Sequence, residues 1–148
     1  MVLVNRISVV TIKMEKEKNI LVDNKKVSSP KDVYELMKDY LKGADREYLV
    51  LLSLDMKNNI NSINTVSIRS LNSSIVHPRE IFKTAILSNA ASIILIHNHP
   101  SGDTTPSKED INITYRIKES GKILGIELLD HVILGDNSYS SLKEKSIL

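Results

Sequence analysis

Apolar and polar positions along the chain fall into segments of two different periods. Residues 7–13 (Ile-Ser-Val-Val-Thr-Ile-Lys) are β-branched and partly alternating, which predicts a strand. Ser29-Pro30 then opens a helix, with Ser29 as N-cap, Pro30 at the first position and Asp32 near the positive end. Val33, Leu36, Met37, Tyr40 and Leu41 recur at i, i+3, i+4, i+7 and i+8, one apolar stripe that faces a core. Gly43 is placed to end that helix. From Glu47 to Leu54 the chain is nearly continuous in apolar residues, the mark of a strand covered on both faces. The polar turn 55–59 follows, where Asn58-Asn59 tolerate left-handed backbone, and an alternating strand over 60–68 returns antiparallel to make a hairpin.

His77-Pro78 opens a second helix that runs to about Asn89, with Ile81, Phe82, Ala85 and Ile86 on its core face. Ala91 to Ile96 is a short, β-branched run ending in a Pro/Gly-rich loop, and reads as a buried strand. A third helix starts in Thr105-Pro106-Ser107, with Thr105 or Ser107 as N-cap, and stops at Gly121. Leu124 to Leu134, interrupted at Asp130-His131, makes one strand or two. Gly135 to Ser138 turns the chain, and Tyr139 to Ser141 returns as a short edge strand. The order β-α-β-β-α-β-α-β-β predicts an α/β (α+β) fold, a mixed sheet flanked by helices.

The 148 residues suit a single domain over 1–148, and 41% apolar with 26% charged residues is an ordinary globular balance. No apolar run approaches the ~20 residues of a membrane span. Met1 to Val4 is too short an apolar start for a signal peptide. The absence of cysteine excludes disulfides and agrees with a cytoplasmic protein. A net charge of +2 gives no bulk electrostatic case for nucleic-acid binding. The charge run Lys13 to Lys18 reads as a solvated turn or edge.

The candidate chemistry gathers in His97-Asn98-His99-Pro100-Ser101-Gly102-Asp103-Thr104-Thr105-Pro106-Ser107-Lys108-Glu109-Asp110. Alternate side chains of a strand share a face, so His97 and His99 point the same way at the strand's end. Asp110 falls in the first turn of the next helix, three residues after Ser107. Two imidazoles and a carboxylate make a three-ligand set with a fourth position open to water, the pattern of a catalytic zinc site. Ser107-x-x-Asp110 is also a capping-box variant, which by itself would stabilise the helix start by ~1 kcal/mol. The two readings are compatible, because Ser107 can cap while Asp110 ligates.

His97-x-His99-Pro100, with Ser107 and Asp110 downstream, resembles the JAMM signature of MPN-domain zinc metalloproteases. The longer string through Asp103, with Thr105-Pro106-Ser107, resembles the bacterial RadC family within that group. Val76 to Phe82 and Leu124 to His131 resemble the RadC segments on either side, so the likeness covers about residues 27–142. The resemblance implies a single MPN/JAMM-like (cytidine-deaminase-like) domain without the helix-hairpin-helix region many RadC proteins carry. It implies Zn²⁺ on His97, His99 and Asp110. It further implies Glu47 as general base and acid, and Ser107 as hydrogen-bond donor to the oxyanion, in hydrolysis of a peptide or isopeptide bond of a peptide or protein substrate. Without the resemblance, Glu47 is an ordinary carboxylate at the head of a strand. His77 and Glu80 are read as structural, by capping, in preference to a place behind the metal ligands. Asp130 and His131 could form a hydrogen-bonded pair there, but a buried, satisfied His131 is the preferred account.

Two residues depart from the usual RadC pattern. Thr104 replaces a proline after Gly-Asp and is expected to loosen the loop, and Arg69 stands where glycine is usual, before Ser70-Leu71-Asn72. The alternative function is an accessory module in DNA repair or replication that binds DNA or a repair protein. Near-neutral charge and few aromatics weigh against direct DNA contact. His97-Asn98-His99 is too compact for an HNH nuclease, whose residues spread over a longer hairpin–helix unit.

Overall fold

The computed structural model describes residues 1–67 and 76–148. Its elements run α1 (Pro30–Tyr40), β1 (Leu49–Leu54), β2 (Ile60–Ser67), α2 (Pro78–Leu87), β3 (Ser92–Asn98), α3 (Lys108–Leu124), β4 (Glu127–Leu134) and β5 (Tyr139–Ser141). They form an α/β fold around a five-stranded mixed sheet in the order β2-β1-β3-β4-β5. Among the described residues only β3 and β4 pair in parallel, through the crossover helix α3; the other neighbours are antiparallel.

Every residue of β1 and β3 is buried, as their continuous apolar character predicts. Side chains alternate between two clusters. Leu49, Leu51, Ile93 and Leu95 pack with Ile81 and Phe82 of α2 and with Ile113 and Ile117 of α3. Val50, Leu52, Ile94 and Ile96 pack with Val33 and Met37 of α1. The odd-numbered face of β3 therefore carries His97 towards the α2/α3 side of the sheet.

Helix α1 starts where its pattern predicts. The Ser29 hydroxyl accepts from the Asp32 amide at 3.4 Å, and Asp32 Oδ2 accepts from the Ser29 amide at 3.1 Å. Gly43 (φ 79°) follows the C-cap Leu41 and does not itself end the helix. The hairpin turn uses Asn58 at φ 62°.

Several expectations are corrected. Residues 7–13 form no strand: Ile7, Val9, Val10 and Ile12 are 94%, 99%, 74% and 72% exposed. β propensity needs a neighbouring ladder to act on, and none of the five strands pairs with this segment. Helix α3 passes through Gly121 and ends at Gly125 (φ 72°), so Leu124 belongs to the helix. A Cβ on Gly121 would stand 2.2 Å from the carbonyl oxygen of Ile126, so this glycine serves close packing. Ile86 is 54% exposed and contributes little to the core face of α2. The segment after Gly125 is one strand, with a register shift that leaves Leu129 out of the pairing with β3. Ile68, Arg69 and Ser70 to Asn72 lie outside the described residues. Among the described residues no helix is long and apolar enough to cross a membrane.

Candidate metal centre

Strand β3 delivers His97 fully buried beside Leu49 of β1, and the His99 amide donates to the Leu134 carbonyl at 2.8 Å, holding the strand end in line with β4. The chain then turns through Gly102 (φ 87°). Gly135, in the β4–β5 turn, lies so close that a Cβ there would stand 2.2 Å from the Gly102 carbonyl oxygen. The Thr104 hydroxyl accepts from Ser140 at 2.9 Å, which ties this loop to β5. Asp103 Oδ1 accepts from the amide and hydroxyl of Thr105, at 2.9 and 2.7 Å, and leads the chain to Ser107.

Ser107, of the two candidates, is the N-cap of α3. Its amide donates to Asp110 Oδ2 at 2.7 Å, and its hydroxyl accepts from the Asp110 amide at 3.1 Å. This locks the Asp110 side chain toward the histidines. Asp110 Oδ1 is 3.1 Å from His97 Nε2, and Oδ2 is 3.2 Å from His99 Nε2. The two Nε2 atoms are 2.9 Å apart. Burial works to raise the Asp110 pKa, but the adjoining His97 and the bonds from Ser107 outweigh it and hold the carboxyl well below the usual range.

The three side chains fit a metal ion. Ligand atoms ~2.1 Å from a tetrahedral ion lie ~3.4 Å apart, a few tenths of an ångström wider than the spacing of these atoms. His99 Nδ1 is 2.6 Å from the Asp103 carbonyl oxygen, which only accepts; Nδ1 therefore carries hydrogen and Nε2 presents a lone pair to the group. His97, His99 and Asp110 thus converge on a space that can hold a cation.

Glu47 lies two residues before β1 and is half-buried. It lines, with His99, Ser101, Ser107 and Asp110, a cleft of about 370 Å³. All five predicted site residues therefore belong to one region: four line the cleft, and His97, fully buried, stands against two of them, His99 and Asp110. His77 caps α2 without a side-chain bond, and Glu80 pairs with Lys83 at 3.1 Å; neither lines the cleft.

The sequence reading gives no role to Asn98 and reads His131 as a buried, satisfied histidine. Asn98, between the histidines, accepts from the Tyr48 amide at 2.8 Å and donates to the Arg46 carbonyl at 3.0 Å, clamping the backbone on both sides of Glu47. Its signal is an amide at the end of an apolar strand. His131 is fully buried, with Nε2 2.7 Å from His97 Nδ1 and Nδ1 2.6 Å from Thr114 Oγ1. Burial, reinforced by the positive charge available to His97, pushes its pKa well below the ordinary value. The side chains of Asp130 and His131 do not pair as supposed, since neighbours on a strand point to opposite faces. Asp130 accepts from the Ser141 hydroxyl at 2.6 Å and from the backbone amides of His131 and Lys143.

The sequence profile described as RadC-like JAB domain matches residues 27–147. This chain belongs to the RadC-like JAB domain family. Relatives in the family include the UPF0758 protein of Clostridium perfringens (strain ATCC 13124), 58% identical over 123 residues, which are 83% of this chain and 54% of the relative. The UPF0758 proteins of Desulfitobacterium hafniense (strain DSM 10664 / DCB-2) and Methanosarcina mazei are 55% and 52% identical over 82% and 84% of this chain, again 54% of each relative. The chain thus spans about half the length of these RadC-like relatives. The RadC-like assignment and the His97-His99-Asp110 group together fit a metallohydrolase of JAMM type.

Proposed function

We propose that the chain is a zinc-dependent hydrolase of peptide or isopeptide bonds. The observation that carries this reading is the shared cleft: His99 and Asp110, two members of the metal-holding group, open onto the space lined by Glu47 and Ser107. Two nitrogens and one carboxylate leave a fourth position free, the arrangement of a catalytic rather than a structural zinc site. Zinc, when bound, would supply a Lewis acid that polarises the scissile carbonyl and acidifies water.

The chain's own residues perform the rest. Glu47 takes a proton from the attacking water and delivers it to the departing amine. Ser107 uses an oxygen lone pair to cap α3, which leaves its hydroxyl hydrogen to donate to the developing oxyanion. Asn98 holds the backbone around Glu47 at a set distance from the metal group. The substrate is a peptide or protein.

Metal analysis of purified protein, wild type beside His99→Ala, tests the centre. A peptide-library cleavage assay with Glu47→Gln as control tests the chemistry. One zinc per chain, lost in His99→Ala, and cleavage abolished in Glu47→Gln with zinc retained, are the expected results. Cleavage that persists in Glu47→Gln overturns the general-base role; wild type without stoichiometric metal overturns the centre.

A further inference from the structure

We propose that Thr114 and His131 are positioning residues that decide which ring nitrogen of His97 carries hydrogen, and so turn a lone pair of its Nε2 to the metal group. The proposal rests on the metal reading above. The Thr114 hydroxyl lies 2.7 Å from the Asp110 carbonyl oxygen and 2.6 Å from His131 Nδ1. A carbonyl oxygen only accepts, so the single hydroxyl hydrogen goes to Asp110. Thr114 can then serve His131 only as an acceptor, and His131 Nδ1 carries hydrogen. His131 is fully enclosed, which disfavours a charged ring and leaves its Nε2 as an acceptor. The 2.7 Å contact with His97 Nδ1 therefore takes its hydrogen from His97. His97 Nε2 is left with a lone pair, 2.9 Å from His99 Nε2 and 3.1 Å from Asp110 Oδ1.

The relay closes on itself. Asp110 offers its carboxylate to the metal group, and its backbone carbonyl anchors the chain of bonds that ends at His97. One turn of α3 thus places one donor and sets the tautomer of another that sits on β3. Thr114, His131 and His97 all have zero exposure, so solvent does not stand in for a missing member. The opposite polarity would require Thr114 to abandon the Asp110 carbonyl.

Long-range proton–nitrogen correlation spectra of the full chain, labelled at histidine, freed of metal and held at mildly alkaline pH, read the tautomer directly. Wild type is expected to show His97 protonated at Nδ1. Thr114→Val, which keeps the shape and removes the hydroxyl, should admit the Nε2–H form and weaken zinc binding by about 10–100-fold; Thr114→Ser should restore both. His131→Gln, whose amide can accept from His97 and donate to Thr114, should behave as wild type, and His131→Leu should not. A wild-type His97 protonated only at Nε2 overturns the proposal, whatever the variants do. So does a folded Thr114→Val with unchanged tautomer and zinc affinity. Wild type that binds no zinc yet holds His97 in the Nδ1–H form defeats the metal reading and leaves the relay standing.

Discussion

Ser107 and Asp110 hold each other in both directions: the Ser107 amide donates to Asp110 Oδ2 at 2.7 Å, and the Asp110 amide donates to the Ser107 hydroxyl at 3.1 Å. The same carboxylate reaches 3.1 and 3.2 Å from the two histidines. A helix cap and a group that can hold a metal ion are therefore one structure.

This fusion separates two roles of Ser107. Ser107→Ala removes the cap acceptor and should destabilise the fold by about 1 kcal/mol, whereas Ser107→Gly should cost only a few tenths. If the hydroxyl also serves the oxyanion, both variants should lose about 10²-fold in turnover. Denaturant unfolding beside a cleavage assay distinguishes them. Full turnover in Ser107→Gly would sink the oxyanion role.

Asn98 supplies a parallel test at the other wall of the cleft. Asn98→Ala removes two bonds to the backbone flanking Glu47 and should cost about 1–3 kcal/mol of stability. Turnover should fall by about 10²-fold as Glu47 loses its fixed position, while zinc content stays at the wild-type level. Metal analysis and single-turnover cleavage on the same preparation check both halves; loss of zinc would assign Asn98 to the metal group instead.

Gly121 should invert a common rule. In an exposed helix interior, glycine to alanine gains about 1 kcal/mol. Here the new Cβ would meet the Ile126 carbonyl at 2.2 Å, so Gly121→Ala should cost about 1–3 kcal/mol as α3 and the start of β4 move apart. Thermal unfolding of the variant reads the sign, and a raised Tm would contradict the packing described.

The pH dependence of stability should carry the mark of His131. Its folded pKa is depressed, first by burial and then by charge at His97, while the unfolded chain protonates near 6.5. As pH falls below about 6.5, only the unfolded form takes up this proton. Stability therefore drops by up to about 1.4 kcal/mol per pH unit until the folded pKa is reached, and is unaffected by this group above the unfolded pKa. Unfolding of metal-free protein across this window should show the slope, and His131→Gln should flatten it. An equal slope in the variant would place the titration on another group.

The periodic elements could be read from sequence wherever burial, rather than pairing, decides them. The stripe of Val33 and Met37, the continuous run of β3 and the capping box at Ser107 each encode their outcome within a few residues. The segment 7–13 misled because its β-branched residues state a preference that only a neighbouring strand can satisfy. Gly121 misled because a glycine at a helix end and a glycine at a close crossing look alike until the partner backbone is known.

His97, His99, Ser107 and Asp110 were legible by themselves because fourteen residues of local chain, one strand end and one helix cap, are enough to bring their donor atoms together. The places of Glu47, Asn98 and Thr114 and the contact of His131 with His97 were not, since they depend on β1 lying against β3 and on α3 returning the chain to β4. Hydrogen bonds between residues 34 and 50 apart in sequence carry no local periodic signal; only the folded sheet, with its faces and registers settled, decides that they form.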